Sequence, residues 1–234
     1  MIFKKNFKIG SKLIGKDHRS IIVAEISANH NKNFNTIKRL VKSAKKNGAD
    51  LIKIQTYTAE TITINSKKKD FLIKKNNSWS KNKYLWNLYK KAETSKSLTS
   101  KIFNYSRSIG IDVFSSPFDI DAVNFLEKLR CPAYKIASPE INHIPLIERV
   151  AETKKPVILS LGLSNINDID LAIKTIRKKG NSKIVLLKCV SSYPASIKEQ
   201  NIKSILEIEK KYNVLCGLSD HTQGFIAPVS AVAI

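Results

Sequence analysis

The sequence predicts an α/β chain of the (β/α)8 (TIM) barrel class, with about seven of the eight strands inside its 234 residues. Three observations carry this. Short β-branched runs alternate with amphipathic stretches along almost the whole chain. The runs are apolar throughout, as parallel strands covered on both faces must be. A polar residue recurs at the C-terminal end of nearly every run: Glu25, Gln55, Ser116, Ser138, Ser160, Ser191 and Ser219. Repeated strand–helix units leave a closed barrel or an open doubly wound sheet. The glycine-rich phosphate loop of many open sheets does not follow the first run, where Glu25-Ile26-Ser27-Ala28-Asn29-His30 stands instead. Side chains converging from many strand ends are what a barrel site needs.

In order, the expected strands are 21–25, 51–55, 112–115, 133–137, 157–160, 184–189 and 214–218. Helical periodicity fills 35–47, 97–109, 122–129, 145–153, 166–179 and 202–212, and a further helix begins near the end of the sequence. Gly48, Gly110 and Gly180 sit just past helix ends, where a residue must accept positive φ. Pro145 suits a first helical turn, and Pro156 opens a strand. Residues 1–20 read as an N-terminal extension and 21–234 as an incomplete barrel domain. The stretch 56–95 is long, rich in Lys and Asn, and carries Phe71, Trp79, Trp86 and Tyr89. A lid, a dimer contact and a floppy insertion all fit it.

The formal net charge is +22, yet only six of the 41 basic residues are Arg: Arg19, Arg39, Arg107, Arg130, Arg149 and Arg177. Phosphate and base-edge recognition favours the guanidinium fork. The lysines are spread along the chain and fall on outer helix faces, as in KRLVKSAKK. A solvated surface is the better reading, and nucleic-acid binding is not expected. A positive field would also draw an anionic substrate. No apolar run approaches the length of a bilayer span, and MIFKKNFKIG lacks the apolar core of a signal peptide, so a cytoplasmic location is expected. Cys131, Cys189 and Cys216 are odd in number, widely spaced and set in apolar stretches, as buried reduced thiols are.

Two lysines stand inside apolar strands, Lys53 and Lys135. Burying an ammonium is costly unless it is paired, so each is either a stem reaching the barrel mouth or part of a site. With the strand-end serines they make a credible pocket for a phosphate and a carboxylate. A desolvated lysine can also act as a nucleophile toward a carbonyl. His221 follows a strand in the polar segment SDHT and is a candidate metal ligand. His30 either contacts substrate or is a satisfied loop residue; His18 and His143 read as surface residues.

The segments AEISANHN, IKIQTYT, SSPFD, YKIAS, KCVSSYP and GLSDHT stand in register at the strand ends. Their order and spacing resemble the sialic-acid synthase family from about residue 20 onward. SANHN, QTYT, SSPFD and LLKC-x-SSYPA are most similar to its pseudaminic acid branch. The resemblance implies condensation of phosphoenolpyruvate with an open-chain amino hexose to a nine-carbon 2-keto acid. It implies that Lys53 and Lys135 bind phosphoenolpyruvate, with Ser116, Ser138, Ser160, Ser191 and Ser219. Glu25, Gln55, Glu140 and Tyr193 match residues lining the sugar side, and Glu25 is the candidate for steadying developing positive charge. His221 matches a ligand of a divalent metal (manganese, magnesium or cobalt), while Asp220 reads as a structural hydrogen-bonding residue. A homodimer is implied as well.

Three segments depart from the family pattern. Ser160-Leu161-Gly162-Leu163 lacks a hydroxyl beside the phosphate site, Glu93–Ser97 replaces an aromatic stretch, and Pro139 stands where an aromatic is common. The resemblance places an eighth strand with a second metal-binding histidine, and a small antifreeze-like domain, beyond residue 234. On that reading the chain as written is expected to be inactive or nearly so. The alternatives are an N-acetylneuraminate synthase, a Schiff-base aldolase and a basic nucleic-acid-binding protein.

Overall fold

The computed structural model describes residues 3–75 and 79–234. The chain forms two compact units, one of residues 22–131 and one combining the N-terminal residues to 21 with 132–234. All seven expected strands form, each parallel to the neighbours it pairs with inside its unit. The expected N-terminal extension contains an additional antiparallel hairpin, β1 (Asn6–Ile9) and β2 (Lys12–Gly15), that the periodicity did not announce.

The unit of residues 22–131 carries β3 (Val23–Glu25), β4 (Leu51–Thr56) and β5 (Asp112–Pro117). Helix α1 (Phe34–Lys46) connects the first two. Its sequence puts Ile37 and Val41 on the buried face, one turn apart, and its lysines outward. The Asn33 side chain caps it by accepting from the Thr36 N–H at 3.0 Å. Two short helices, α2 (Ala59–Ile62) and α3 (Leu85–Ala92), lie within the long connection to α4 (Lys96–Ser108), and α5 (Ile120–Lys128) follows β5. The stretch 56–95 is therefore built rather than floppy, its residues 76–78 lying outside the described residues. Tyr57 packs edge-on against Tyr89 and Phe118, and the Glu93 carboxylate accepts the Ala59 N–H at 2.9 Å.

The other unit carries β6 (Tyr134–Ile136), β7 (Val157–Ser160), β8 (Ile184–Cys189) and β9 (Leu215–Ser219) in that spatial order. Helices α6 (Ile144–Glu152), α7 (Ile166–Lys178) and α8 (Ser204–Tyr212) connect them, and α9 (Ile226–Ala233) follows β9. His143 is more than a surface residue: its Nδ1 accepts from the Leu146 N–H at 3.0 Å and caps α6. The hairpin belongs to this unit. Phe3, Phe7 and Ile9 are buried, Lys4 donates its N–H to the Ser182 carbonyl, and the Arg177 guanidinium lies 4.2 Å over the Phe3 ring.

Part of the high positive charge has a structural use. The Lys45 ammonium donates to the Ile109 carbonyl at the end of α4, Arg107 to the Leu129 carbonyl at the end of α5, and Lys154 to the Lys179 carbonyl at the end of α7. Each cation meets the negative end of a helix dipole and one of its orphan carbonyls. The glycines expected past helix ends adopt positive φ, +88° at Gly48, +68° at Gly110 and +70° at Gly180.

Candidate active site

In the unit of residues 22–131, parallel register gathers four expected residues on one face of the pleat. Glu25 is the Cα partner of Lys53, and Gln55 is the partner of Ser116. Lys53 and Gln55 are two residues apart and so point to the same side. The Lys53 ammonium makes an ion pair with Glu25, whose other oxygen accepts the Ser27 N–H at 2.8 Å. The intervening Ile54 is buried on the opposite face. Ser116 is 1% exposed, and its hydroxyl has no hydrogen-bond partner among the described residues. His30 is bonded within the fold. It is buried, accepts from the Lys32 N–H at Nδ1 and meets the Thr94 hydroxyl through Nε2 at 3.1 Å. Because Nδ1 accepts, Nε2 carries the proton and donates. The ring joins the loop after β3 to the end of the 56–95 stretch. Burial, and then the Lys32 charge, hold its pKa below 6.5.

The other unit collects the remaining expected residues. Lys135, in the middle of β6, is 7% exposed and donates to the Ser219 hydroxyl at 3.4 Å. Burial lowers its pKa, opposed by the nearby Cys189 and Glu140. Glu140 stands in the short 3-10 turn Ser138–Glu140, and burial pushes its carboxyl up to about 7 against the pull of a backbone hydrogen bond and of Lys135. Its Oε2 has no hydrogen-bond partner among the described residues. The Ser138 hydroxyl accepts the Gly162 N–H at 3.0 Å. A Cβ on Gly162 would lie 3.0 Å from both the Cys189 Sγ and the Ser138 Oγ and would run into the Ser191 hydroxyl. Only glycine lets the turn after β7 come this close. Ser160, at the end of β7, is 1% exposed. Asp220 accepts the Thr222 N–H at 2.9 Å, the structural role expected of it.

His221 and Tyr193 complete the cluster of polar residues in this unit. The His221 Nδ1 lies 2.8 Å from the Val190 carbonyl, which only accepts, so Nδ1 carries the proton and Nε2 keeps its lone pair. The Tyr193 hydroxyl lies 2.9 Å from that Nε2. Burial lowers the imidazole pKa, but the Cys189 and Val190 contacts outweigh it and the net shift is upward. Cys189 was expected only as a buried thiol. It ends β8 in register with Ser219, 3.8 Å from the Ser191 hydroxyl and 3.9 Å from the His221 Nδ1. Burial raises its pKa, but His221 and the Ser160 and Ser138 hydroxyls bring it down to about 6. The Ser160 hydroxyl is close enough to favour the thiolate, yet makes no hydrogen bond of ordinary geometry among the described residues. The sequence signal for Cys189 was its place at a strand end, which apolar context obscured.

Among the described residues, no three His, Cys, Asp or Glu side chains gather into a metal cluster. The Val190 carbonyl on one ring nitrogen of His221 fixes the tautomer in which the other nitrogen is an acceptor. No helix among the described residues is long and apolar enough to cross a membrane.

The NeuB family model matches residues 40–234. The chain is 43% identical over 213 residues to the pseudaminic acid synthase of Helicobacter pylori, covering 91% of this chain and 62% of that protein. It is 43% identical over 218 residues to the pseudaminic acid synthase of Campylobacter jejuni, covering 93% of this chain and 63% of that protein. It thus spans just over three fifths of the length of these relatives. The solved N-acetylneuraminic acid synthetase of Leptospira borgpetersenii superposes with a TM-score of 0.84 at 31% identity, covering 99% of this chain and 75% of that one. The fold class is therefore the barrel read from the strand–helix alternation, with seven parallel strands among the described residues. The chain belongs to the NeuB family, in the pseudaminic acid branch of the sialic-acid-type synthases.

Proposed function

We propose that this chain carries the phosphoenolpyruvate-binding machinery of a pseudaminic acid synthase. The reaction joins C3 of phosphoenolpyruvate to the aldehyde carbon of an open-chain amino hexose. Water adds at C2, and phosphate leaves with C–O cleavage, giving a nine-carbon 2-keto acid. The observation that carries the reading is Lys135, an ammonium 7% exposed whose partner is the Ser219 hydroxyl. A cation held so far from water is stabilised most by an anion that brings its own charge.

Lys135 and the hydroxyls of Ser138, Ser160, Ser191 and Ser219 bind phosphate and carboxylate oxygens in this reading, and within residues 22–131 Lys53 and Ser116 are the residues suited to the same kind of contact. Glu25, already paired with Lys53, faces the positive charge that develops at C2. Gln55 and Tyr193 hold sugar hydroxyls. Glu140, poised near neutrality, exchanges a proton with the reacting oxygens. His221 would hold a divalent metal through Nε2, and such an ion supplies Lewis-acid polarisation of the aldehyde when bound.

The test is phosphate release from phosphoenolpyruvate by this chain carried in a protein of its relatives' full length, with manganese and either the pseudaminic-type or the N-acetylneuraminate-type amino hexose. Turnover confined to the first sugar supports the reading. Turnover confined to the second would make the chain an N-acetylneuraminate synthase.

One observation favours a second reading. Burial lowers the Lys135 pKa, which suits an amine nucleophile. Borohydride trapping of a pyruvate adduct at Lys135 would establish a Schiff-base aldolase and remove the condensation reading.

A further inference from the structure

We propose that Glu93 and Thr94 clasp the loop after β3 and so set the orientation of Glu25 at the strand end, which makes them positioning residues for the condensation. The inference rests on the reading of Glu25 as the residue that faces the charge developing at C2, and it adds what holds that carboxylate still. The loop is strained. Its backbone is left-handed at Ser27, Asn31 and Lys32, with φ of +46°, +47° and +58°. Asparagine tolerates that region, but serine and lysine seldom adopt it, and such a conformation persists only where the surroundings impose it. The loop also starts at the site itself. The Ser27 N–H donates to one Glu25 oxygen at 2.8 Å, while the Lys53 ammonium pairs with the other. What fixes the backbone of the loop therefore fixes where the Glu25 carboxylate points.

The clasp reaches the loop from the end of the 56–95 stretch. The His30 ring accepts the Lys32 N–H at Nδ1, 3.0 Å away, and donates from Nε2 to the Thr94 hydroxyl at 3.1 Å. One buried imidazole thus joins the strained backbone at Lys32 to Thr94. The Lys32 ammonium donates to the Lys90 carbonyl at 2.8 Å, in the last turn of α3, and lies 3.9 Å from the Glu93 carboxylate. That carbonyl is one of those that a helix end leaves without an intrahelical partner. Glu93 is anchored on its own side as well. It accepts the Ala59 N–H at 2.9 Å at the start of α2 and pairs with Lys90 at 3.1 Å. Residues 93 and 94 belong to the segment Glu93–Ser97, which departs from the family pattern. The departure supplies the carboxylate and the hydroxyl that the clasp uses.

Thr94→Val keeps the shape of the side chain and removes the acceptor of the imidazole proton, whereas Thr94→Ser keeps the acceptor. Both are compared with Glu25→Gln and the unaltered sequence, in a protein of the relatives' full length that carries this chain, with circular dichroism to confirm the fold of each. Turnover is read as phosphate release from phosphoenolpyruvate, with manganese and the pseudaminic-type amino hexose. The loop is read by hydrogen exchange of residues 26–33, followed by mass spectrometry. Thr94→Val is expected to speed that exchange about tenfold, the worth of one hydrogen bond. It is expected to lower kcat about tenfold and leave the phosphoenolpyruvate KM within about twofold, since a misplacement of about 1 Å can cost roughly a hundredfold in rate. Thr94→Ser is expected to restore both. Glu93→Gln, which keeps an oxygen for the Ala59 N–H and removes the charge facing Lys32, should move both readings the same way and by less. Unchanged exchange in Thr94→Val, faster exchange with unchanged kcat, or a loss of kcat that Thr94→Ser does not restore overturns the clasp. Each of these leaves the reading of Glu25 standing where Glu25→Gln lowers kcat. Full kcat in Glu25→Gln overturns that reading and the inference with it.

Discussion

Lys135 and Ser219 meet at 3.4 Å although 84 residues separate them in the chain. They sit on β6 and β9, the first and last of four strands paired in sequence within one unit. An ammonium that crosses over its neighbours to reach a strand-end hydroxyl is placed for a ligand more than for stability, because its desolvation is only partly offset there. Replacing it should separate the two effects.

In a protein of the relatives' full length, Lys135→Met is expected to raise the phosphoenolpyruvate KM by the worth of a charge-assisted contact, about 1.5–3 kcal/mol. The unfolding midpoint in urea should stay the same or rise, since a buried charge is replaced by an apolar chain of similar volume. Loss of the nearby cation should also move the Glu140 carboxyl above about 7. An unchanged KM would sink the assignment. Lys53→Ala is expected to behave alike for KM, but to lower stability, because it leaves Glu25 without its ion-pair partner.

Glu140 makes a pH prediction with a definite sign. Its folded-state pKa is about 7 against an ordinary 4.5, so between those values the folded chain holds the proton that the unfolded chain has lost. The stabilisation is fully present below 4.5 and is lost as the pH rises through 7. Glu140→Gln should flatten this component, which amounts to roughly 1–3 kcal/mol. Urea unfolding at several pH values for both proteins measures it, and parallel curves would count against it.

His30 should slope the other way. Its folded-state pKa lies below 6.5, so the unfolded chain takes up the proton first and stability falls as the pH drops below 6.5. His30→Ala leaves the Lys32 N–H and the Thr94 hydroxyl without their imidazole partner, at about 2–4 kcal/mol for the two bonds. Amide exchange should speed up at residues 93–94 and in the loop after β3, and protection unchanged in both places would refute the link.

Gly162→Ala tests the close approach after β7. The new methyl group crowds Ser191, Cys189 and Ser138 together. Overpacking of about 1–3 kcal/mol is expected, felt as a phosphoenolpyruvate KM raised by roughly tenfold or more. A variant with the KM of the unaltered chain would show that this turn does not shape the site.

In the same full-length protein, His221→Ala is expected to abolish most metal-dependent turnover, with partial recovery in excess manganese. Full activity in chelator-treated variant protein would decide against the ligand role.

Periodicity alone made the seven strands legible, because a buried parallel strand must be apolar along its whole length and a covering helix on one stripe. Strand-end chemistry was legible for the same reason: Lys53 and Lys135 contradict their apolar surroundings. The hairpin Asn6–Ile9 and Lys12–Gly15 escaped notice because its four-residue strands lie among lysines that mask the alternation. The two helices within 56–95 escaped because Ala59–Ile62 and Leu85–Ala92 are too short to develop a clear period.

The sequence by itself determined the alternating α/β order, the family and the roster of polar strand ends, since these are properties of spacing and residue type. Only the tertiary structure decided which of them touch. Register on the sheet paired Glu25 with Lys53 and Gln55 with Ser116, and brought Cys189 beside Ser219. Burial, which no single residue carries in its own chemistry, moved the Glu140 carboxyl to about 7. A carbonyl 31 residues before His221 set the imidazole tautomer and turned its other nitrogen toward Tyr193. Proton placement follows from which lone pairs are already occupied, and that is settled only when distant strands and loops have packed.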